Sequence, residues 1–219
     1  LFNAPETYME KISTKINEKG VIDLDYSVKK NIFNLSEYLN KKPKNITACI
    51  MDRPRHKEII TELKKIGVKI KLITDGDISG ALLVTEDKYG VDIFLGIGGG
   101  PEGVLAAAAL DAFDCGFQGR FLFNTEIDKN RANKMGIRDL KKKYELNEII
   151  KGDSIFCATG ITSGDLMKGV MVKNDKYITE TIVTHNKSIL ELVKKEVSIT
   201  WLIEKFTIKD PPMVPSSIG

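Results

Sequence analysis

The sequence has few cysteines, few histidines and no long apolar run. Its 219 residues include three cysteines, Cys49, Cys115 and Cys157. An odd number of widely spaced cysteines does not form a disulfide framework, so we expect reduced thiols in a cytoplasmic protein. Cys49 and Cys157 lie in apolar, strand-like runs, and we expect both to be buried. No window approaches the roughly 20 apolar residues of a membrane span, and no secretory signal is visible, so we expect no membrane partner.

An excess of charge of one sign is also lacking. Thirty-three Lys and Arg residues face 30 Asp and Glu residues, which gives a net charge of +3. The lysines are scattered rather than grouped, so we expect no nucleic-acid partner. With 42% hydrophobic residues, a chain of this length can bury a core and form one or two domains.

Hydrophobic periodicity changes along the chain. We predict a helix over residues 6–18, which Gly20 stops, and an amphipathic helix over residues 25–40. From residue 46, strands alternate with helices, which favours an α/β fold with a largely parallel sheet flanked by helices. The predicted strands are 46–51, 68–74, 91–97 and 153–158, and the predicted helices are 57–66, 78–84 and 104–113. We therefore predict a helical N-terminal remnant, residues 1–45, and a C-terminal α/β domain, residues 46–219.

The C-terminal part of the sequence predicts a β-hairpin. Residues 177–184 alternate β-branched side chains, and His185 begins a turn. The second arm, residues 188–197, also has helical spacing, so strand and helix both remain open. The tail from Lys209 contains three prolines and is predicted to be irregular.

A glycine-rich turn at residues 96–103 is the most informative segment. It joins a predicted apolar strand to an alanine-rich helix, a place where backbone N–H groups bind anions. Glu102 lies in the first helical turn, where its carboxylate would repel a bare phosphate unless a divalent cation lay between them. This arrangement predicts metal-dependent phosphate-ester chemistry.

Three other loops follow predicted strands, and ligands of parallel sheets bind at these carboxyl ends. Their sequences are Arg53-Pro54-Arg55-His56, Asp75-Gly76-Asp77 and residues 159–165. Arginines can bind phosphate by forked hydrogen bonds, and carboxylates can bind sugar hydroxyls or hard cations. Together the loops predict a binding pocket for a phosphorylated polyol.

Each signal also has a plainer interpretation. The arginine pair could equally be a solvated loop, Asp75 and Asp77 could form a turn with a helix N-cap, and His56 is typical of a first-turn or capping residue. The pattern Gly98-x-Gly100-x-x-Gly103 is that of a dinucleotide site. However, Pro101 and Glu102 occupy positions where free amides should face a pyrophosphate, and no acidic residue follows at the spacing that binds a ribose.

These segments, with Ala4-Pro5-Glu6-Thr7-Tyr8-Met9-Glu10-Lys11, resemble class II fructose-1,6-bisphosphatase. This is the bacterial type within the lithium-sensitive sugar and inositol phosphatase superfamily, and the resemblance covers nearly the whole chain. It implies a layered sugar-phosphatase fold, with residues 1–45 as the remnant of an N-terminal phosphatase domain and residues 46–219 as the C-terminal α/β substrate-binding domain. It also implies metal-dependent hydrolysis of fructose 1,6-bisphosphate to fructose 6-phosphate and phosphate, in gluconeogenesis.

The resemblance implies roles for individual residues. Glu102 would bind a divalent metal, Mn²⁺ or Mg²⁺. Position 53 is a departure, because familiar relatives have lysine where this chain has Arg53. Arginine keeps the positive charge but adds a planar guanidinium that can form paired hydrogen bonds. The implied substrate-binding residues are Tyr8, Arg53, Pro54, Arg55, Asp75, Gly76, Asp77 and Gly99.

The resemblance also implies a missing part. The family's other metal carboxylates, in an Asp-Pro-Ile-Glu-Gly-Thr motif, and the threonine that orients the attacking water would lie upstream of Leu1. We therefore expect no catalytic residue in this chain, a C-terminal part that is inactive alone, and the N-terminal half and a homo-oligomer as partners. The alternatives are a sugar-phosphate-binding module without turnover, or a relative that hydrolyses sedoheptulose bisphosphate or inositol phosphates.

Overall fold

The computed structural model describes residues 2–185 and 188–198. The chain divides into two compact units, which are described separately below. The first comprises Leu1–Phe156 with Thr184–Leu190, and the second comprises Cys157–Val183 with Glu191–Gly219.

A six-stranded sheet organises the first unit, in the order β3-β2-β4-β1-β5-β6. Parallel pairing joins β2 to β3 and to β4, whereas antiparallel pairing joins β1 to β4 and β5, and β5 to β6. Strands β2 to β5 therefore run in one direction, which confirms the predicted largely parallel sheet. The strands are β1 (Tyr8–Thr14), β2 (Thr47–Met51), β3 (Lys69–Ile73), β4 (Ile93–Gly99), β5 (Gly116–Leu122) and β6 (Lys143–Glu145).

Strand β1 replaces the predicted helix over residues 6–18, so the prediction of a helical N-terminal remnant was wrong there. Met9, Ile12 and Ile16 have helical spacing, but Ile12 lies opposite Leu95 of β4 and Gln118 of β5. Pairing on both sides overrides the local pattern. The sheet thus combines residues from before and after the boundary that we expected near residue 45, and that boundary itself stays a prediction.

Six α-helices occur in the described part of the chain. The helices predicted over 25–40 and 57–66 are confirmed as α1 and α2; Gly67 ends α2 in the left-handed conformation, at φ 82°. No element was predicted over residues 114–152, yet β5, α5, β6 and α6 lie there. The helices are α1 (Val28–Tyr38), α2 (Lys57–Ile66), α3 (Asp77–Leu82), α4 (Gly100–Asp111), α5 (Glu126–Lys134) and α6 (Leu146–Ile149).

The main core lies between the sheet and helices α1 and α2. Ile32 and Leu35 of α1, Leu63 of α2, and Ile50 and Ile93 of the strands are fully buried in one cluster. Each such side chain contributes about 1.5–3 kcal/mol through burial. This core fixes the strand ends from which the candidate site is built.

Helix α4 is buried through small side chains. Ala107 and Ala109 have no exposed surface, and the helix packs against α3, β1, β4 and β5. A Cβ atom on Gly103 would overlap Met9 Sδ of β1, so glycine permits this close approach. The N-terminus of α4 is thereby held at the end of β4.

A second sheet has four strands, in the order β10-β9-β7 with β8 paired to β9. Because β10 is a strand, the question left open for residues 188–197 is answered, and its place beside β9 agrees with the predicted hairpin. The connecting residues 186–187 and the tail from Lys209 lie outside the described residues. The strands are β7 (Ile155–Thr159), β8 (Met171–Lys173), β9 (Lys176–His185) and β10 (Ser188–Ser198).

The cysteines are only partly as predicted. Cys49 and Cys115 are buried thiols, but Cys157 is exposed, so the expectation that it is buried was wrong. In β7 the side chains alternate, and Phe156 rather than Cys157 faces inward. None of the described helices is long and apolar enough to cross a membrane.

Candidate functional site

The candidate site lies at one edge of the six-stranded sheet. The parallel strands β2, β3 and β4 end there, and a predicted site residue follows each of them within four residues. These residues are Arg55 in a 3₁₀ turn, Asp77 at the start of α3 and Glu102 in the first turn of α4. Strand β1 runs the opposite way, so its first residue, Tyr8, lies opposite Gly99 at the end of β4. The topology therefore brings four chain segments to one edge.

A buried ion pair forms the centre of the site. Lys11 projects from β1, and its Nζ donates a hydrogen bond to Asp77 Oδ2, at the start of α3. The exposed fractions of the two side chains are only 1% and 10%. Lys11 Nζ also donates to the carbonyl oxygen of Gly99, at 3.2 Å. Lys11 thus ties α3 to the glycine turn.

The electrostatics of Lys11 identify its charged neighbours. Burial lowers the pKa of Lys11, while Asp77 and, more weakly, Glu102 favour the charged form and Arg55 opposes it. Asp77, Glu102 and Arg55 therefore each lie close enough to Lys11 to affect its charge. Asp77 Oδ1 is also buried, and it has no hydrogen-bond partner in the described part of the chain. It is an acceptor that a ligand hydroxyl or a water molecule could satisfy.

The glycines of the turn make room for these side chains. A Cβ atom on Gly98 would overlap Asp77 Oδ2 and lie 3.0 Å from Lys11 Nζ. A Cβ atom on Gly99 would overlap the carboxylate of Glu102, which folds back over that residue. Glu102 lies in the first turn of α4 and is exposed, so its carboxylate is available to a ligand and interacts favourably with the helix dipole.

Arg55 and Tyr8 form the outer part of the site. The Nε of Arg55 donates to the carbonyl oxygen of Ile97 at 2.6 Å. The centre of its guanidinium lies 5.1 Å from the centroid of the Tyr8 ring, within the range of a cation–π contact. Tyr8 is 47% exposed, so an aromatic face and a guanidinium are presented together.

His56 is completely buried beside Arg55. Its Nε2 accepts a hydrogen bond from the Ile97 N–H at 2.8 Å, so its Nδ1 carries the proton and donates to Met51 O at 2.8 Å. Burial lowers the pKa of His56, which keeps the imidazole neutral. His56 occupies the N-cap position of α2, as the capping interpretation expected, but its side chain makes no capping hydrogen bond.

The predicted residues divide into two groups. Tyr8, Arg55, Asp77, Gly99 and Glu102 are brought together as described above. The recorded contacts of the others are local: Arg53 donates to Asp52 O at 3.2 Å, and Asp75 Oδ1 accepts from Gly76 N at 2.8 Å. Pro54 begins a 3₁₀ turn, and Gly76 adopts φ 85° immediately before α3.

Comparison with known proteins identifies the family. The family model described as "Bacterial fructose-1,6-bisphosphatase, glpX-encoded" matches residues 1–196. The chain belongs to the bacterial class II fructose-1,6-bisphosphatases.

Individual members of this family are similar over most of the chain. A D-fructose 1,6-bisphosphatase class 2/sedoheptulose 1,7-bisphosphatase of Synechococcus sp. (strain JA-3-3Ab) is 37% identical over 201 residues, 86% of this chain and 58% of the relative. A fructose-1,6-bisphosphatase class 2 of Haemophilus influenzae is 34% identical over 218 residues, 94% of this chain and 65% of the relative. The chain thus spans about three fifths of the length of these relatives.

Lys11 belongs to the candidate site by its contacts, although the sequence of this class II chain did not predict it there. The signal was present, because a lysine stands in the middle of the segment that forms β1. We predicted a helix there, and a lysine on a helix is usually solvated. Only the correct strand assignment places Lys11 between β4 and β5 and next to Asp77.

The described residues of this class II chain do not by themselves form a metal site. No group of three or more His, Cys, Asp or Glu side chains in that part of the chain is positioned to hold a metal ion. Glu102 offers one carboxylate, and that of Asp77 is held by Lys11. Divalent cations require more oxygen ligands than one side chain provides.

Two further features of this class II chain are a cleft in the first compact unit and the loop that follows β7. A cleft of about 480 Å³ includes Asp111 and Asp114, at the other end of α4 from Glu102. The fourth predicted loop, residues 159–165, belongs to the second compact unit, where Gly160 N donates to Glu180 O at 3.0 Å, and its part in the site stays a prediction.

Proposed function

We propose that this chain is the substrate-binding part of a class II fructose-1,6-bisphosphatase. The whole enzyme would hydrolyse fructose 1,6-bisphosphate to fructose 6-phosphate and phosphate, in gluconeogenesis. The observation that carries the proposal is the meeting of Tyr8, Arg55, Asp77, Gly99 and Glu102 at one sheet edge. Family membership supports the same conclusion.

Each residue has a chemical role in this proposal. Arg55 binds a phosphate group, since its guanidinium is permanently charged and planar. Tyr8 packs against the sugar phosphate, and the buried Oδ1 of Asp77 accepts a hydrogen bond from a sugar hydroxyl. Gly99 contacts the substrate through its backbone. Arg53, Pro54, Asp75 and Gly76 complete the lining in this proposal.

Glu102 would provide one ligand to a divalent cation, Mn²⁺ or Mg²⁺. In phosphate-ester hydrolysis such a cation polarises the phosphoryl group. Because the described residues offer only this one exposed carboxylate at the glycine turn, the other ligands and the group that orients water would come from an N-terminal half. We propose a homo-oligomer of the completed protein in the cytoplasm.

Calorimetry on the chain tests substrate binding. We expect fructose 1,6-bisphosphate to bind and Arg55→Met to weaken binding about tenfold or more, because a charge-assisted hydrogen bond contributes about 1.5–3 kcal/mol. Arg138→Met is a matched control, since Arg138 is exposed in the loop after α5. Equal binding by the wild type and Arg55→Met would remove Arg55 from the site.

A second candidate function is binding without turnover. The observation that favours it is the presence of Arg55 and Asp77 without a complete set of metal ligands in the described residues. Binding heat without phosphate release in Mn²⁺ or Mg²⁺ would support it for the isolated chain. Metal-dependent phosphate release by that chain would contradict it.

A second substrate is suggested by the names of the relatives. The Synechococcus protein is named for both fructose 1,6-bisphosphate and sedoheptulose 1,7-bisphosphate. Both sugars have phosphates at their two ends, and the described contacts do not distinguish them. A panel of these two sugars and an inositol phosphate, assayed with the completed enzyme, would rank the alternatives.

A further inference from the structure

We propose that His56 is a positioning residue: together with Arg55 it takes the place of β2 as the hydrogen-bonding neighbour of β4, and so fixes the Arg55 guanidinium at the substrate site. The part of this inference that concerns phosphate rests on the proposed function. The part that concerns the backbone of β4 does not.

The first step is the end of the β2–β4 pairing. The two strands are in register at Ala48 with Ile93 and at Cys49 with Phe94. Beyond Phe94, β4 continues for five residues to Gly99, whereas β2 ends at Met51 and the chain turns into the arginine loop. On its other side β4 remains paired with β1 along its whole length. One side of β4 therefore lacks a strand near the site.

The second step is the replacement of that strand by two consecutive side chains. The N–H of Ile97 donates to His56 Nε2 at 2.8 Å, and its C=O accepts from Arg55 Nε at 2.6 Å. A strand residue directs both backbone groups to the same side, so both groups of Ile97 point away from β1. Without these side chains, two backbone polar groups would lose their partners next to the site.

The third step is the anchoring of His56 itself. Its Nδ1 donates to the carbonyl oxygen of Met51, the last residue of β2. The imidazole therefore connects the end of β2 with β4, and each ring nitrogen has a defined role. Because His56 has no exposed surface, no water competes for either bond. Only the neutral tautomer with the proton on Nδ1 satisfies both neighbours.

The consequence concerns the orientation of Arg55. Its Nε is held by Ile97, and its guanidinium lies against Tyr8, at 5.1 Å from the ring centroid. The hydrogen bond at Nε and the contact with the Tyr8 ring together fix the plane of the guanidinium before a ligand binds. Such preorganisation lowers the entropy lost on binding. His56 acts through this arrangement and does not itself touch the ligand.

The test compares His56→Phe with the wild type. Phenylalanine retains a ring of similar size but cannot accept from Ile97 or donate to Met51. We expect the amide of Ile97 to exchange with solvent at least about tenfold faster, and the affinity for fructose 1,6-bisphosphate to fall about tenfold, the change that 1.4 kcal/mol produces. The control is His185→Phe, which changes the chain's other histidine, in β9. It should alter neither measurement.

Three results would overturn the inference. One is unchanged exchange at Ile97 in His56→Phe, and another is faster exchange with unchanged affinity. If that variant does not fold, ¹⁵N spectra of the wild type decide: a proton on Nδ1 of His56 supports the inference, and a proton on Nε2 contradicts it. If the wild type binds no sugar phosphate but Ile97 loses protection in the variant, the proposed function fails while the backbone role of His56 stands.

Discussion

At the scale of single residues, the main feature of the candidate site is the buried charge of Lys11. Lys11 has almost no exposed surface, and its ion pair with Asp77 lies between the central strand and α3. A buried ion pair is tolerated when each partner has further hydrogen bonds, and the Gly99 carbonyl oxygen provides one for Lys11. The pair therefore determines where the carboxylate of Asp77 lies.

The first prediction concerns removal of this lysine. Lys11→Met keeps an unbranched side chain, one atom shorter, but leaves the Asp77 carboxylate buried without its partner, so we expect a loss of about 3 kcal/mol of unfolding free energy. Urea unfolding measures it. The control is Lys15→Met on the same segment, whose ion pair with Asp87 is exposed, and which should cost less than about 1 kcal/mol. Equal losses in the two variants would show that the buried pair does not stabilise the fold.

The second prediction concerns the thiols. Burial, and then the negative charge of Asp114, raises the pKa of Cys115 from 9.0 to about 12. Iodoacetamide at pH 8 should therefore modify the exposed Cys157 in the native chain and leave Cys115 unmodified until urea is added, as peptide mass spectrometry would show. Modification of both at one rate in the native chain would contradict the described burial.

The raised pKa of Cys115 also predicts how the unfolding free energy changes with pH. The raised folded pKa means that the unfolded chain loses the Cys115 proton first as pH rises. The stability contributed by the protonated thiol is therefore fully present below pH 9.0 and is lost as pH rises toward about 12. Cys115→Ala should show a smaller decline of unfolding free energy over this interval.

At the scale of elements, the sequence correctly predicted those helices and strands that are determined by local patterns. Gly67 marks the end of α2, and the elements from β2 to α4 alternate as their apolar runs indicate. Arg55, Asp77 and Glu102 could be placed in one site because each follows a parallel strand. Strand β1 could not be predicted, since it is a strand only through its neighbours β4 and β5. Its misassignment hid Lys11, and the role of His56 depends on where β2 ends.

The third prediction concerns the close packing of the glycine turn. Gly98→Ala places a methyl group where Asp77 and Lys11 now lie, so we expect a loss of about 1–3 kcal/mol in unfolding free energy and weaker binding of sugar phosphate. Urea unfolding and calorimetry measure the two effects. Gly152→Ala is the control, since a Cβ atom there would meet open space. A fully stable Gly98→Ala variant would mean that the turn relaxes and that the ion pair does not require this glycine.

At the scale of the whole molecule, bulk charge does not explain an affinity for phosphate. The net charge is only +3 on 219 residues, so the sugar-bisphosphate binding proposed above would depend on the local arrangement of Arg55 and Lys11. Glu102 also lies close enough to Lys11 to interact with its charge. An acidic side chain so close to a phosphate site is favourable only if a cation is bound between the two.

The last prediction tests this role of Glu102 in the completed enzyme, with an N-terminal half supplied. Glu102→Gln keeps the shape of the side chain but removes the anionic ligand, so we expect phosphate release from fructose 1,6-bisphosphate in Mn²⁺ or Mg²⁺ to fall at least about 100-fold. Glu126→Gln is a matched control because Glu126 also lies in the first turn of a helix, α5, and loses the same favourable contact with a helix dipole, about 0.3–1 kcal/mol. A defect confined to Glu102→Gln thus reports metal binding rather than helix stability. Full activity of that variant would show that the cation is held without Glu102.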